Sequence, residues 1–181
     1  AALAGSLSAA LSSMVCNLTV GKKKYAHFET DVKQILETSE KIRQELEELI
    51  VKDEESFNQV MTAYRLPKNT EEEQIRQKKA FQEALKQASL VPLQVMLKSA
   101  QVLEMSQSLA VKGNQNAISD VGSAAQIAWA ALESAWYNVK INLKSIEDQS
   151  FAAEIEQKAS NLRNKFRELT KQTLQMVEDK L

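Results

Sequence analysis

Few residues in this sequence are equipped for chemistry, and most of those are carboxylates, lysines and asparagines. There is one histidine, His27, and one cysteine, Cys16. With no second imidazole or thiol, the chain offers no Cys/His ligand spacing for zinc, and no metal site is expected. A lone histidine near a helix start reads as structural or surface. Serines are plentiful, but none sits in a motif that would activate it as a nucleophile, and no glycine-rich phosphate loop is present. Acid–base chemistry on an organic substrate remains, as does a purely structural role in a helical oligomer.

Asp53 stands out by position. Val32, Ile35, Ile42, Leu46, Leu49, Ile50, Phe57, Val60 and Met61 recur at steps of three and four, and the same steps put Asp53 where an apolar side chain is due. A carboxylate on a buried face is expected to have a partner, be protonated, or line a cavity. An ion pair between helices and a functional site both satisfy that condition.

Asp120, Asn138 and Asn142 are polar exceptions in another apolar stretch. From Ala117 to Leu143 the only charged residues are Asp120, Glu133 and Lys140. Buried polar groups there need partners or a ligand. Asp120 can instead serve the free N–H groups of its helix's first turn, and both readings stand. Eighteen residues separate Asp120 from Asn138, roughly 27 Å on one unbroken helix, so one compact site cannot hold both.

The run Lys22-Lys23-Lys24 follows Gly21, where it is either a solvated cap at the negative end of a helix or an anion site.

Five long helical patterns must position these groups. Only four Gly and two Pro interrupt a chain of 181 residues, and strong helix formers dominate the rest. The first segment carries Leu3, Leu7, Leu11, Met14 and Leu18 as one stripe and Gly5, Ala9 and Ser13 as a second, small-residue stripe. This predicts a helix packed on several sides. Residues 1–20 carry no charge, yet the four serines, Gly5, Asn17 and Thr19 dilute them too far for a membrane span, and no basic region precedes them.

Pro67 stops the second helix. Thr70 with Glu73 forms a capping box for the third, whose register survives Pro92 with a kink or short break. Lys112-Gly113-Asn114-Gln115-Asn116 is a loop. The segment Ala117–Leu143 reads as a buried central helix, and the chain from Phe151 onward as an amphipathic outer wall. The expected fold is all-α, one domain over residues 1–181, a bundle of about five or six helices with long antiparallel members around a buried central one. A net charge of −1 gives no overall field for nucleic acid or anionic lipid, and the single cysteine suits a reducing, cytoplasmic compartment.

The residues just traced are also those by which the chain resembles the cyclodeaminase/cyclohydrolase family. The match begins with Ala1-Ala2-Leu3-Ala4-Gly5, Met14-Val15 and Leu18-Thr19-Val20-Gly21-Lys22-Lys23-Lys24-Tyr25. It continues with Asp53 and Phe57, Leu66-Pro67-Lys68-Asn69-Thr70, Val91-Pro92 and Gly113-Asn114 with Asn116. Ile118-Ser119-Asp120-Val121-Gly122, Asn138-Val139 and Ile141-Asn142-Leu143 complete it. Ordered matches over nearly the whole chain are more specific than any one motif. The family also has a proline- and glycine-rich segment just before the position where this chain begins.

The resemblance implies a homodimeric helical module acting on tetrahydrofolate derivatives, some polyglutamylated, with no cofactor beyond that substrate, no nucleic acid and no membrane. One family activity closes formiminotetrahydrofolate to methenyltetrahydrofolate with loss of ammonia. The other interconverts methenyl- and formyltetrahydrofolate with water. The first is the leading expectation and the second stands close behind; a noncatalytic helical dimer is the alternative of another class. Under this resemblance Asp53 or Asp120 supplies the carboxylate that faces the developing cation. Lys22, Lys23, Lys24 and Lys68 are candidates for the folate glutamate tail, and Asn114, Asn116, Asn138 and Asn142 for the pterin edge.

Overall fold

A computed structural model describes residues 1–181. It contains five α-helices: α1 (Ala2–Asn17), α2 (Glu29–Tyr64), α3 (Glu71–Lys112), α4 (Ile118–Leu143) and α5 (Gln149–Glu178). Short 3-10 turns at Lys23–Phe28 and Gln115–Ala117 join α1 to α2 and α3 to α4. The all-α bundle expected from the sequence is what the chain forms. No helix is long and apolar enough to cross a membrane.

Local signals set the ends of these helices. Thr70 Oγ1 accepts from the Glu73 N–H at 3.2 Å, while the Glu73 carboxylate accepts from the Thr70 N–H at 3.3 Å, closing the predicted capping box. Asp148 caps α5 by accepting from the Phe151 N–H at 3.1 Å. Gly21 has φ +77°, a left-handed conformation that turns the chain away from α1 and that a side chain would strain.

Of the kink or short break predicted at Pro92, the break does not occur: α3 runs continuously from Glu71 to Lys112. Proline has no N–H, so the Ala88 carbonyl loses its regular helical donor. Asn142 Nδ2 on α4 donates to that carbonyl instead, at 3.1 Å. A neighbouring helix has replaced the missing bond.

The long helix α3 packs against all four others, and α4 packs against α1, α3 and α5. Their shared core joins Leu46 and Leu49 of α2, Met96 and Leu103 of α3, Leu132 and Val139 of α4, and Phe166 of α5. Alanines at 125, 128 and 135 keep α4 thin where it meets its neighbours. One stripe of α4 stays open to solvent, including Ala130, Ser134, Tyr137 and Ile141.

As the sequence predicts, α1 is packed on several sides, against α2, α3 and α4, but only one of its two stripes faces them. Its small face is buried, with Gly5, Ala9, Ser12 and Ser13 inward, while Leu3, Leu7, Met14 and Leu18 are exposed. Close approach decides this. A Cβ at Gly5 would lie 3.1 Å from a Leu46 methyl, and the Ser13 and Ser39 hydroxyls stand 2.7 Å apart across the α1–α2 contact. Leucines on that face would hold the backbones apart.

Candidate functional site

Between α2 and α4, α3 forms the floor of a slot. Ile50, Asp53, Glu54, Ser56, Phe57 and Val60 line one wall of the resulting concavity, Leu85 and Ala88 its floor, and Asn138 and Asn142 the other wall. Its volume is ≈ 520 Å³, within the range of small-molecule sites. A smaller hollow of ≈ 160 Å³ adjoins it, sharing Ile50, Asp53 and Asn138 and closed by Ala1, Ala2 and Leu3 at the start of α1.

Asp53 is therefore not on a buried face, as its spacing predicts. It is exposed, and the apolar stripe of α2 borders a slot at this level. No ion pair engages it. Of the expected outcomes, lining a cavity is the one observed.

The two asparagines opposite are each fixed through their amide nitrogen. Asn138 Nδ2 donates to the Ser134 carbonyl at 3.1 Å, and Asn142 Nδ2 donates to Ala88 as described. Both amide oxygens are left without a protein donor. The slot thus combines apolar walls with a rim rich in acceptors: two carboxylates and two amide oxygens. Exposed Phe57 adds an aromatic face at its edge.

The remaining predicted residues lie elsewhere. Lys22, Lys23, Lys24, Asn114, Asn116 and Asp120 stand at the opposite end of α1 and α4, since α1 runs antiparallel to α4. Asn114 is buried and spent on structure. Its Nδ2 donates to the Leu18 carbonyl at 2.9 Å, its N–H donates to Thr19 Oγ1 at 2.9 Å, and its Oδ1 accepts from Asn116 N–H at 3.1 Å and from the Tyr25 hydroxyl at 3.4 Å. It stitches the α3–α4 loop to the end of α1 and cannot also take a pterin edge without breaking those bonds. Asn116 is exposed, and half-buried Asp120 occupies the first turn of α4, where it opposes the helix dipole.

Lys22, Lys23 and Lys24 are exposed and form no ion pair; Lys24 Nζ lies 5.5 Å from the Tyr25 ring centre. Lys68, on the α2–α3 turn, stands 4.6 Å over the Tyr64 ring. Tyr64 continues the Asp53–Phe57–Val60 face, about 16 Å further along α2. His27 is exposed and lies against Phe28 with ring centres 3.9 Å apart and planes tilted by 46°.

Several shifted titrations belong to the scaffold. The Ser13 hydroxyl, and then Arg43, hold the Glu40 carboxyl below its ordinary value. Glu133 raises the Arg163 guanidinium through a two-point contact. No cluster of three or more His, Cys, Asp or Glu side chains is arranged to hold a metal ion.

Sequence reasoning missed Glu54 and the exposure of Phe57. Both emerge only where α2, α3 and α4 meet around the slot, which no residue periodicity records.

The family model described as formiminotransferase-cyclodeaminase matches residues 1–161. Methenyltetrahydrofolate cyclohydrolase of Methylorubrum extorquens is 49% identical over 154 residues, 85% of this chain and 74% of that protein. Formimidoyltransferase-cyclodeaminase of Sus scrofa is 33% identical over 162 residues, 90% of this chain, which spans only 30% of the length of that protein. A crystal structure of formiminotetrahydrofolate cyclodeaminase from Thermotoga maritima superposes with a TM-score of 0.88 at 31% identity, over 98% of this chain and 85% of that one.

Proposed function

Because the chain belongs to the formiminotransferase-cyclodeaminase family, we propose that it is a folate one-carbon enzyme acting at the Asp53–Asn138–Asn142 slot, and that its main activity is methenyltetrahydrofolate cyclohydrolysis. The observation that carries the reading is the acceptor-rich rim on apolar walls. Methenyltetrahydrofolate presents a flat ring system with N–H donors and a cationic carbon between two nitrogens. Apolar walls suit the ring, amide oxygens suit the donors, and carboxylates suit the cation.

In the hydrolytic direction a water adds its oxygen to the bridging carbon and loses a proton, for which Asp53 is the acceptor. The carbon–N5 bond then breaks as the new hydroxyl gives up its proton to become the formyl oxygen and N5 takes one up, leaving the formyl group on N10 and one proton released overall. The fixed carboxylate stabilises the cation when the reaction runs in reverse and the ring closes. The slot's contribution is to hold both nitrogens and the water in one geometry.

Under the resemblance alone cyclodeamination is the leading expectation, with cyclohydrolysis close behind. Cyclohydrolysis is placed first here because a relative of that name shares about half of its aligned residues with this chain. Cyclodeamination remains the second reading, supported by the similarity to the Thermotoga maritima protein. There N10 attacks the formimino carbon and ammonia leaves with a proton, producing the same cation beside the same carboxylate.

Offering each substrate to the purified protein and following methenyl absorbance and ammonia release separates the two. Asp53→Asn is expected to lower turnover of the preferred substrate by about a hundredfold or more, the usual scale of a lost general base. Near-native turnover in that variant removes Asp53 from the mechanism.

A further inference from the structure

Pro92 lies in the interior of α3, between the two hollows of the slot. It is buried and lines the smaller hollow with Asp53 and Asn138. Ala88, one turn back, lines the larger hollow with Asn142. A proline inside a helix withholds one N–H, and its ring presses on the carbonyl four residues before it. That carbonyl is Ala88, and the donor it receives, Asn142 Nδ2 at 3.1 Å, belongs to a residue of the slot wall.

The bond admits only one orientation of the Asn142 amide. A primary amide donates from its nitrogen and accepts at its oxygen. Turned over, it would set Oδ1 against the Ala88 oxygen, two acceptors with no proton between them. The nitrogen is therefore held on α3, and the oxygen, which has no protein donor, is left to the slot. Asn138 is held differently. Its Nδ2 donates to the Ser134 carbonyl one turn back on its own helix, which the regular helical N–H also uses. Asn138 is exposed, whereas Asn142 is half-buried and fixed by a carbonyl with no competing helical donor.

We infer that Pro92 is a positioning residue for the slot: by withholding its N–H it reserves the Ala88 carbonyl for Asn142, and so makes that wall a hydrogen-bond acceptor that selects ligands presenting an N–H edge. The inference rests on reading the slot as a folate site, where the donor is an amino or ring N–H of the substrate's ring system. An N–H restored at position 92 gives the carbonyl its helical donor and frees the amide to turn. The turned amide opposes the ligand's N–H with its own, and the wall loses its preorganisation.

Two measurements test this. The first needs no ligand. The side-chain amide protons of Asn142, identified in nitrogen–proton correlation spectra by their loss from Asn142→Asp, should be protected from exchange with water in the native protein. In Pro92→Ala they should exchange about tenfold faster or more, the scale of one lost hydrogen bond. Equal protection in the two proteins overturns the inference. The second is a mutant cycle on the preferred folate substrate. Pro92→Ala is expected to raise KM about tenfold while kcat stays within about threefold of native, because Asp53 is untouched. Asn142→Asp alone sets a carboxylate oxygen against the unfilled Ala88 carbonyl and should also raise KM. In the double variant the carbonyl takes the restored N–H and the carboxylate presents an acceptor whichever way it turns. Its KM should therefore return to within about threefold of native. Losses that add instead of cancelling show a merely structural proline and overturn the inference, as does a native KM in Pro92→Ala. Either result leaves the folate reading standing where Asp53→Asn is impaired. A native protein that turns over neither methenyl- nor formiminotetrahydrofolate overturns the folate reading, and the inference with it.

Discussion

Asp148 shows how one side chain ties two elements together. The Lys86 ammonium, then the Phe151 N–H and the Ser150 hydroxyl, hold its carboxyl well below the usual carboxylate range. A depressed folded-state value means stability that is present above the unfolded value near 4 and is lost as pH falls through the folded one. Melting curves between about pH 5 and 2 should therefore fall less steeply for Asp148→Asn, which keeps the cap acceptor but not the charge, than for the native chain. The difference should shrink in salt, since the side chain is accessible. Identical acid limbs would show that the pair adds nothing. Cys16 behaves oppositely: burial pushes its thiol up to about 12. An aromatic disulfide reagent at pH 8 should release no thiol from native protein and one per chain after denaturation.

At the scale of the element, the pairing of Pro92 with Asn142 explains how a 42-residue helix passes through a proline without breaking. Asn142→Leu should cost about 1–3 kcal/mol, the penalty of leaving the Ala88 carbonyl unsatisfied. In a Pro92→Ala background the restored N–H can meet that carbonyl, so the same change should cost less there. Urea melts of the four proteins close the cycle; additive effects would mean the two residues are uncoupled. The link also has a functional side. By fixing the amide nitrogen of Asn142 on α3, it leaves the oxygen turned to the slot that Asp53 borders.

For the whole molecule, the bundle's shape separates the polar residues into two groups at opposite ends of α1, and the concavity lined by Asp53, Asn138 and Asn142 lies at one of them. Leu7→Glu with Met14→Glu places charge on the exposed apolar stripe of α1 without touching the slot. If that stripe is where copies of the chain meet, the expected result is a monomer by sedimentation that retains its helical circular dichroism. A variant that sediments as a dimer would move the interface elsewhere on the molecule.

The sequence by itself determined the helices, because capping at Thr70, the stop at Pro67 and stripes of three and four are local and read directly from residue order. It also singled out Asp53, Asn138 and Asn142 as polar breaks in apolar patterns. Which face of each helix lies inward was decided only by packing. Periodicity marks a stripe on α1 but does not say whether leucines or glycine and serines face the core, and close approach at Gly5 chose the latter. The same holds for the site. Asp53 follows a core-like spacing yet lies open on the slot that α2, α3 and α4 line, and such a slot is a property of helices against one another. Asn114, equally polar in the sequence, became a structural tie once three elements met around it. Residue order records what each helix can present; the meeting of the helices decides what is presented to a ligand and what is spent on the fold.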